Sequence, residues 1–275
     1  MSVLKLHVFF RSTFLQLLLL GLCVSSISFS TPSDCEMLIA SLASPKNNTR
    51  ETFAKLKQLE NETAQGSLID FQKKATSEYI DSHNRKMEMA LKGVIRPWFF
   101  GETGGITFSE ADHLVSLIMY HPTNGQAKEN TFDPNQCYGF CFGRATLIHN
   151  EAVRRRVDPS LIRKIWAVGP TEKQRWQFHV ATLIKARDLP TWWSCDPVFD
   201  IALDVQDWIL RMKKYSDDGR MMFFVTEANR FSVYDPRPYS PVDLLGDGKT
   251  DYYNGYFKAY LEYALQQPDP KPFVK

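Results

Sequence analysis

Residues 136–157 read Gln-Cys-Tyr-Gly-Phe-Cys-Phe-Gly-Arg-Ala-Thr-Leu-Ile-His-Asn-Glu-Ala-Val-Arg-Arg-Arg-Val, with Cys141 at the centre. From Phe142 onward the apolar residues Phe142, Ala145, Leu147, Ile148, Ala152 and Val153 recur at helical spacing, while Tyr138-Gly139-Phe140 reads as a tight approach loop. Cys141 is therefore expected at a helix start. Unpaired N–H groups and the positive end of the helix dipole at such a position favour thiolate over thiol, which is the state in which a cysteine acts as a nucleophile. The competing reading is a small buried hydrophobe, or half of a disulfide, between Phe140 and Phe142. A nucleophile also needs a base and a group to orient that base, so the rest of the chain decides between the two.

The chain has 275 residues, enough for one large domain or two small ones, and at 44% hydrophobic it is globular rather than disordered. Lys5 and Arg11 precede an apolar run from Phe14 to Leu22, followed by small polar residues to Ser30. That is the layout of a secretory signal with cleavage near Thr31, and the run is short for a membrane span. Secreted or periplasmic location follows as the expectation, with no stable membrane association once residues 1–30 are removed. Their removal takes away Lys5 and Arg11 and no acid, leaving 31 basic residues against 31 acidic ones. A formally neutral chain argues against binding nucleic acid through its phosphates. Export leaves Cys35, Cys137, Cys141 and Cys195 where disulfides are permitted, and if Cys141 stays free, at most one pair forms among the other three.

Residues 34–95 show helical periodicity, with Leu68, Phe71, Ala75, Tyr79, Ile80, Met87 and Leu91 among the apolar positions, Gly93 as punctuation and Arg96-Pro97 as the stop. Asn47 and Asn61 fit the glycosylation sequon. The Gly-rich stretch Phe99 to Thr107 reads as a linker, and Ser109 as the cap of a short helix ending before His121-Pro122. Thr123 to Gln136 reads as a polar loop. After the Cys141 helix, Asp158-Pro159 breaks the pattern and two β-type runs follow, Leu161–Val168 and Trp176–Ala186. The second places Phe178, Val180 and Thr182 on one face and His179, Ala181 and Leu183 on the other. A short run Thr191–Cys195, a helix over 199–214, a strand from Met221 to Ala228 and a Tyr-rich helix from Tyr252 to Leu265 complete the chain.

Cys141 at a helix start, His179 inside a strand and Asp196 at a strand end make a candidate triad. Adjacent strands lie about 4.8 Å apart, so a carboxylate on the strand after the histidine can reach the imidazole while the helix start presents sulfur on its other side. Asp196 is expected to fix the tautomer, His179 to take the thiol proton and later return it, and Cys141 to attack a carbonyl carbon. The oxyanion needs donors, for which the backbone N–H of Cys141 and the side-chain amide of Gln136 are candidates.

Cys141-Phe142-Gly143-Arg144-Ala145, Trp176 to Ile184 and Cys195-Asp196-Pro197 together resemble the bacterial protein-glutaminases, with Thr131-Phe132 a looser upstream match. The resemblance spans residues 131–199. It implies an α+β fold with a papain-like or transglutaminase-like core, the nucleophile at a helix N-terminus beside an antiparallel sheet, preceded by a helical N-terminal segment. It also implies hydrolysis of glutamine side-chain amides in proteins to glutamate and ammonia through a thioester, with Cys141 as nucleophile, His179 as base and Asp196 as third member. The organisation expected is a signal peptide over 1–30, a helical segment over 31–98 that can serve as a pro-region, and a catalytic domain over 99–275. Protein or peptide substrates bearing glutamine are the expected partners, and a monomer without cofactor or metal the expected form. Cys137 and Cys195 depart from the family pattern, so no disulfide is carried over.

Several readings compete with this one. A cysteine protease or a transglutaminase shares the triad, and a secreted binding domain can keep the fold without the chemistry. Cys137 and Cys141 with His149 or His179 and Cys195 form a zinc alternative that lacks a second close cysteine pair. His149 lies eight residues past Cys141, about 12 Å along a helix, too far to be its base. Arg154-Arg155-Arg156 reads as a helix end, and Asp247-Gly248 as a turn without the closing acid of a calcium loop.

Overall fold

The computed structural model describes residues 72–93, 104–132, 140–171, 176–216, 218–233, 238, 239, 244 and 255–273. The signal-like segment 1–30, both sequons, Cys35, Gln136, Cys137 and the Asp247 turn lie outside these residues, and so do all but residues 72–93 of the helical segment 31–98.

The elements are α1 (Ser77–Gly93), α2 (Phe108–Met119), α3 (Glu129–Phe132), α4 (Cys141–Arg154), β1 (Ile162–Thr171), β2 (Trp176–Lys185), β3 (Trp192–Cys195), β4 (Leu203–Asp204), α5 (Val205–Tyr215), β5 (Met222–Glu227) and α6 (Tyr256–Gln266). The strands form one five-stranded sheet in the order β4-β3-β2-β1-β5, every pair antiparallel. Helices cover both faces, which is why β1 and β2 read as nearly continuous apolar runs. Trp166, Val168, Val180, Ile184 and Cys195 pack with α2, α4 and α6. Ile165, Ala167, Ala181, Leu183 and Phe223 pack on the other side with Met87 and Leu91 of α1 and Trp208, Ile209 and Met212 of α5. The alternation expected for Phe178 to Leu183 is the alternation found.

One lysine breaks the apolar pattern of β1. Lys164 is fully buried, with its Nζ 4.2 Å from the Phe142 ring centroid and 4.5 Å from that of Tyr239, and it donates to the Tyr239 hydroxyl at 2.7 Å. Burial pushes its pKa well down, and the ring faces and hydroxyl replace part of its lost hydration.

Several boundaries differ from the sequence expectation. The cap of α2 is Thr107 rather than Ser109: its hydroxyl accepts the Glu110 N–H at 3.3 Å and the Glu110 carboxylate accepts the Thr107 N–H at 2.8 Å. This reciprocal pair satisfies two donors that a cap at Ser109 would leave unmet. The segment read as a linker is docked by its end, because Ile106 is fully buried and its N–H reaches the Lys185 carbonyl at 3.0 Å. Gly105 makes that approach possible at φ 111°, since a Cβ there would lie 2.6 Å from the Lys185 oxygen. The loop read over Thr123–Gln136 contains a 3-10 turn, Gln126–Lys128, and α3. The helix read from residue 199 starts at Val205, because Asp200 takes φ 61° and Asp204 caps the Gln206 N–H at 2.8 Å. Leu203–Asp204 becomes the unforeseen edge strand β4.

The other sheet edge, β5, is covered by side chains of α1. Asn84 donates to the Met221 carbonyl at 3.0 Å and accepts the Phe223 N–H at 2.9 Å, while His83 Nε2 meets the Phe223 carbonyl at 2.8 Å. Side-chain amide and imidazole thus stand in for a neighbouring strand. Asn84→Ala removes both amide bonds at a buried position and is expected to lower stability by about 1–3 kcal/mol, read as a shift in the urea unfolding midpoint with unchanged slope.

Candidate active site

The cysteine helix is held against the sheet by its first turns. Thr182 on β2 donates its hydroxyl to the Ala145 carbonyl at 2.6 Å. Gly143 lets α6 close on the same turn, because a Cβ there would stand 2.9 Å from the ring of the fully buried Tyr256. Phe140 at the N-cap supplies no capping side chain, so the first-turn N–H groups, which have no acceptor within the helix, lie beside Cys141.

His179 and Asp196 arrive from neighbouring strands. β3 pairs with β2 only from Thr182 to Lys185, so the chain leaves the sheet after Cys195, which lies opposite Thr182. Asp196 follows with its side chain on the α5 side, and one carboxylate oxygen, Oδ2, meets His179 Nε2 at 2.6 Å and Trp208 Nε1 at 2.8 Å. The other, Oδ1, accepts the Val198 N–H at 3.2 Å. The Trp208 indole also stacks on the imidazole at 6.1 Å between centroids and 25° between planes.

Cys141 acts on the same imidazole from the helix side, favouring its protonated form. Nε2 is committed to Asp196. Among the described residues no strand pairs with β2 ahead of Thr182 on the β3 side, and Ala181 and Leu183, which share the face of His179, pack on the side away from α4. Thus the structure brings together the three residues singled out from sequence, His179 hydrogen-bonded to Asp196 and close enough to Cys141 for the two to interact. All three are buried: Cys141 is 8% exposed, His179 1% and Asp196 2%.

Burial works against an imidazolium at His179, but the Asp196 charge and hydrogen bond, and then Cys141, outweigh it and raise the pKa to about 9. Burial likewise opposes the Asp196 carboxylate, and His179, Trp208 and Arg144 together hold its pKa below the ordinary value. Arg144, three residues past the cysteine, is 7% exposed and pairs with Glu129 at 2.6 Å. Burial disfavours its charge, which Glu129, Cys141 and Asp196 restore. The guanidinium thus adds positive potential behind the sulfur.

Trp208, Arg144 and Glu129 were not among the residues expected at the site. Trp208 reads in sequence as one more apolar position of an amphipathic helix. Arg144 carried a signal, because it falls in the buried stripe with Cys141, Ala145 and Ile148, where an arginine needs a partner. Gln136, the expected oxyanion donor, lies outside the described residues. Cys195 is a free, fully buried thiol, its pKa pushed up by burial and then by the charges of Asp196 and Asp112. His149 stands two turns along α4, held neutral by burial and by Lys164. Among the described residues no group of three or more His, Cys, Asp and Glu side chains is arranged to hold a metal ion, and no helix is long and apolar enough to cross a membrane.

The signs of the two shifts set a pH window. His179, raised above its usual 6.5, adds stability that is fully present below that value and is lost as pH rises through about 9. Asp196, held below its usual 3.8, adds stability that is present above that value and is lost as pH falls through its lowered pKa. Histidine ring NMR is expected to show His179 titrating near pH 9; in Asp196→Asn its midpoint is expected to fall, since the largest charge opposing burial is then gone. A His179 midpoint unmoved by that substitution contradicts the assignment of the carboxylate as its partner.

No protein-family model matches the chain, and no curated protein or solved structure matches it.

Proposed function

We propose that the chain is a secreted cysteine hydrolase with a papain-like core that deamidates glutamine side chains in proteins. The observation that carries the reading is the line from the Asp196 carboxylate through the His179 imidazole to the Cys141 sulfur at the start of a helix. A sulfur at a helix start, an imidazole that holds a proton well, and a carboxylate that fixes the ring are the parts that thiol acyl transfer requires.

In the proposed reaction His179 accepts the thiol proton and the sulfur attacks the carbon of the glutamine side-chain amide. The tetrahedral oxyanion is met by the main-chain N–H of Cys141, with Gln136 as the second candidate donor. His179 returns the proton to the nitrogen, the C–N bond breaks, and ammonia leaves a thioester on Cys141. A water then gives one proton to His179 and attacks the thioester. Collapse releases glutamate, and the thiol recovers its proton from His179. Asp196 stays ionised throughout, Trp208 helping to hold it. What favours the side-chain amide over a peptide bond, and water over an amine, is the resemblance of residues 131–199 to the protein-glutaminases.

Casein separates these chemistries. Ammonia release without new peptide termini or crosslinks is the expected result, whereas new termini identify a protease and crosslinks a transglutaminase. Cys141→Ala and His179→Ala are expected to abolish release, and Asp196→Asn to lower it by about 10³–10⁴-fold while leaving a measurable remainder. Undiminished release from Cys141→Ala rejects the mechanism. Failure of iodoacetamide to label Cys141 faster than free cysteine favours a binding domain that keeps the fold without the reaction.

A further inference from the structure

A cavity of about 590 Å³ lies away from the cysteine, between α1 and the β5 end of the sheet. Its nearest approach to the site is Phe223, which stands across Ala167 from His179, roughly 10 Å at about 4.8 Å between strands. Met87 and Leu91 of α1, Phe223, Phe224 and Val233 give it apolar walls. Its polar groups are unevenly committed. His83 is bonded to the Phe223 carbonyl, and the Thr226 hydroxyl donates to the Glu227 carbonyl and accepts from Trp166 Nε1. Lys86 and Arg163 also line it, and among the described residues neither has a carboxylate partner. Glu227, across the ladder from Arg163, gives its carboxylate to Arg230 at 2.6 Å. Arg163 donates to the Ile162 carbonyl at 2.7 Å, and among the described residues no acidic side chain lines the cavity, so the charge of neither cation is matched there.

The backbone supplies the second observation. Main-chain groups of alternate residues of a strand point to the same side, and the N–H and C=O of Phe223 face outward to Asn84 and His83. Those of Val225, two residues on, therefore face outward as well. Among the described residues no hydrogen bond reaches Val225 from that side, because α1 covers the edge only at Met221 and Phe223. A donor and an acceptor of an open strand edge thus border an apolar cleft that also presents two cations.

We propose that this cleft is a docking site for an extended, acidic peptide segment of a partner protein. The peptide pairs with the N–H and C=O of Val225 as an added strand, seats an apolar side chain between α1 and Phe224, and sets a neighbouring carboxylate against Lys86 and Arg163. The site is separate from Cys141 and does not depend on the reaction proposed there.

The test uses the full chain at low salt and a fluorescein-tagged hexapeptide of alternating valine and glutamate, followed by anisotropy. Saturable binding is expected, with no binding of the matching valine–lysine peptide, and affinity should fall as salt is raised. Lys86→Gln with Arg163→Gln, and separately Val225→Pro, should each weaken binding by about tenfold or more, since the first removes the charges and the second the outward donor. Ala90→Trp, at an exposed α1 position lining the cleft, should block it without altering the strand. The iodoacetamide labelling rate of Cys141 should be unchanged in all of them, which reports an intact fold. Absent binding of the acidic peptide, equal binding of the basic one, or binding that survives both Val225→Pro and Ala90→Trp overturns the proposal. So does saturable binding of laurate without binding of the peptide, which would make the cleft a pocket for apolar anions.

Discussion

Asp196 is 2% exposed, and a carboxylate at that depth persists only where donors surround it. The imidazole of β2, the indole of α5 and a main-chain N–H of the following turn supply them. Each comes from a different part of the chain, so satisfying this one charge fixes the place where β2, the end of β3 and α5 meet. The proton affinity of His179 follows from the same arrangement, because the ring is as buried as the carboxylate and would be neutral without it. Fold and chemistry rest here on one requirement: a buried negative charge has to be matched.

The sheet is short on one side. β3 is four residues long, and among the described residues the first part of β2 is paired by β1 but by no strand on the β3 side. His179 projects with the face packed on α5, while α4 lies on the opposite face.

Much of this was readable from residue order. The helix after Cys141, the two long strands and the alternation that puts His179 opposite Val180 and Thr182 come from apolar spacing, which tertiary packing reinforces here. Cys141, His179 and Asp196 could be picked out because of their types and local settings, and the structure places His179 against Asp196. What spacing could not convey was pairing. Trp208 looks like any apolar helix position until its N–H is seen on Asp196, and Glu129 lies in a stretch whose polarity suggests a loop. Ends of elements escaped for a similar reason: Thr107 displaced Ser109 as cap because Glu110 reaches back to it, and Asp200 in a left-handed conformation delayed α5. Lys164 is the sharpest conflict between local pattern and environment, a cation in a strand core that two aromatic rings and a hydroxyl accommodate.

The contact between Gly143 and Tyr256 extends the reach of the site beyond its own neighbourhood. Tyr256 opens α6, far along the chain, yet its ring rests on the turn that begins with Cys141 and packs 5.0 Å from Phe140. Shortening the protein ahead of α6 would therefore strip the support from the turn that carries Cys141. Expression designs that trim or fuse partners at that end act, through a single tyrosine, on the first turn of α4.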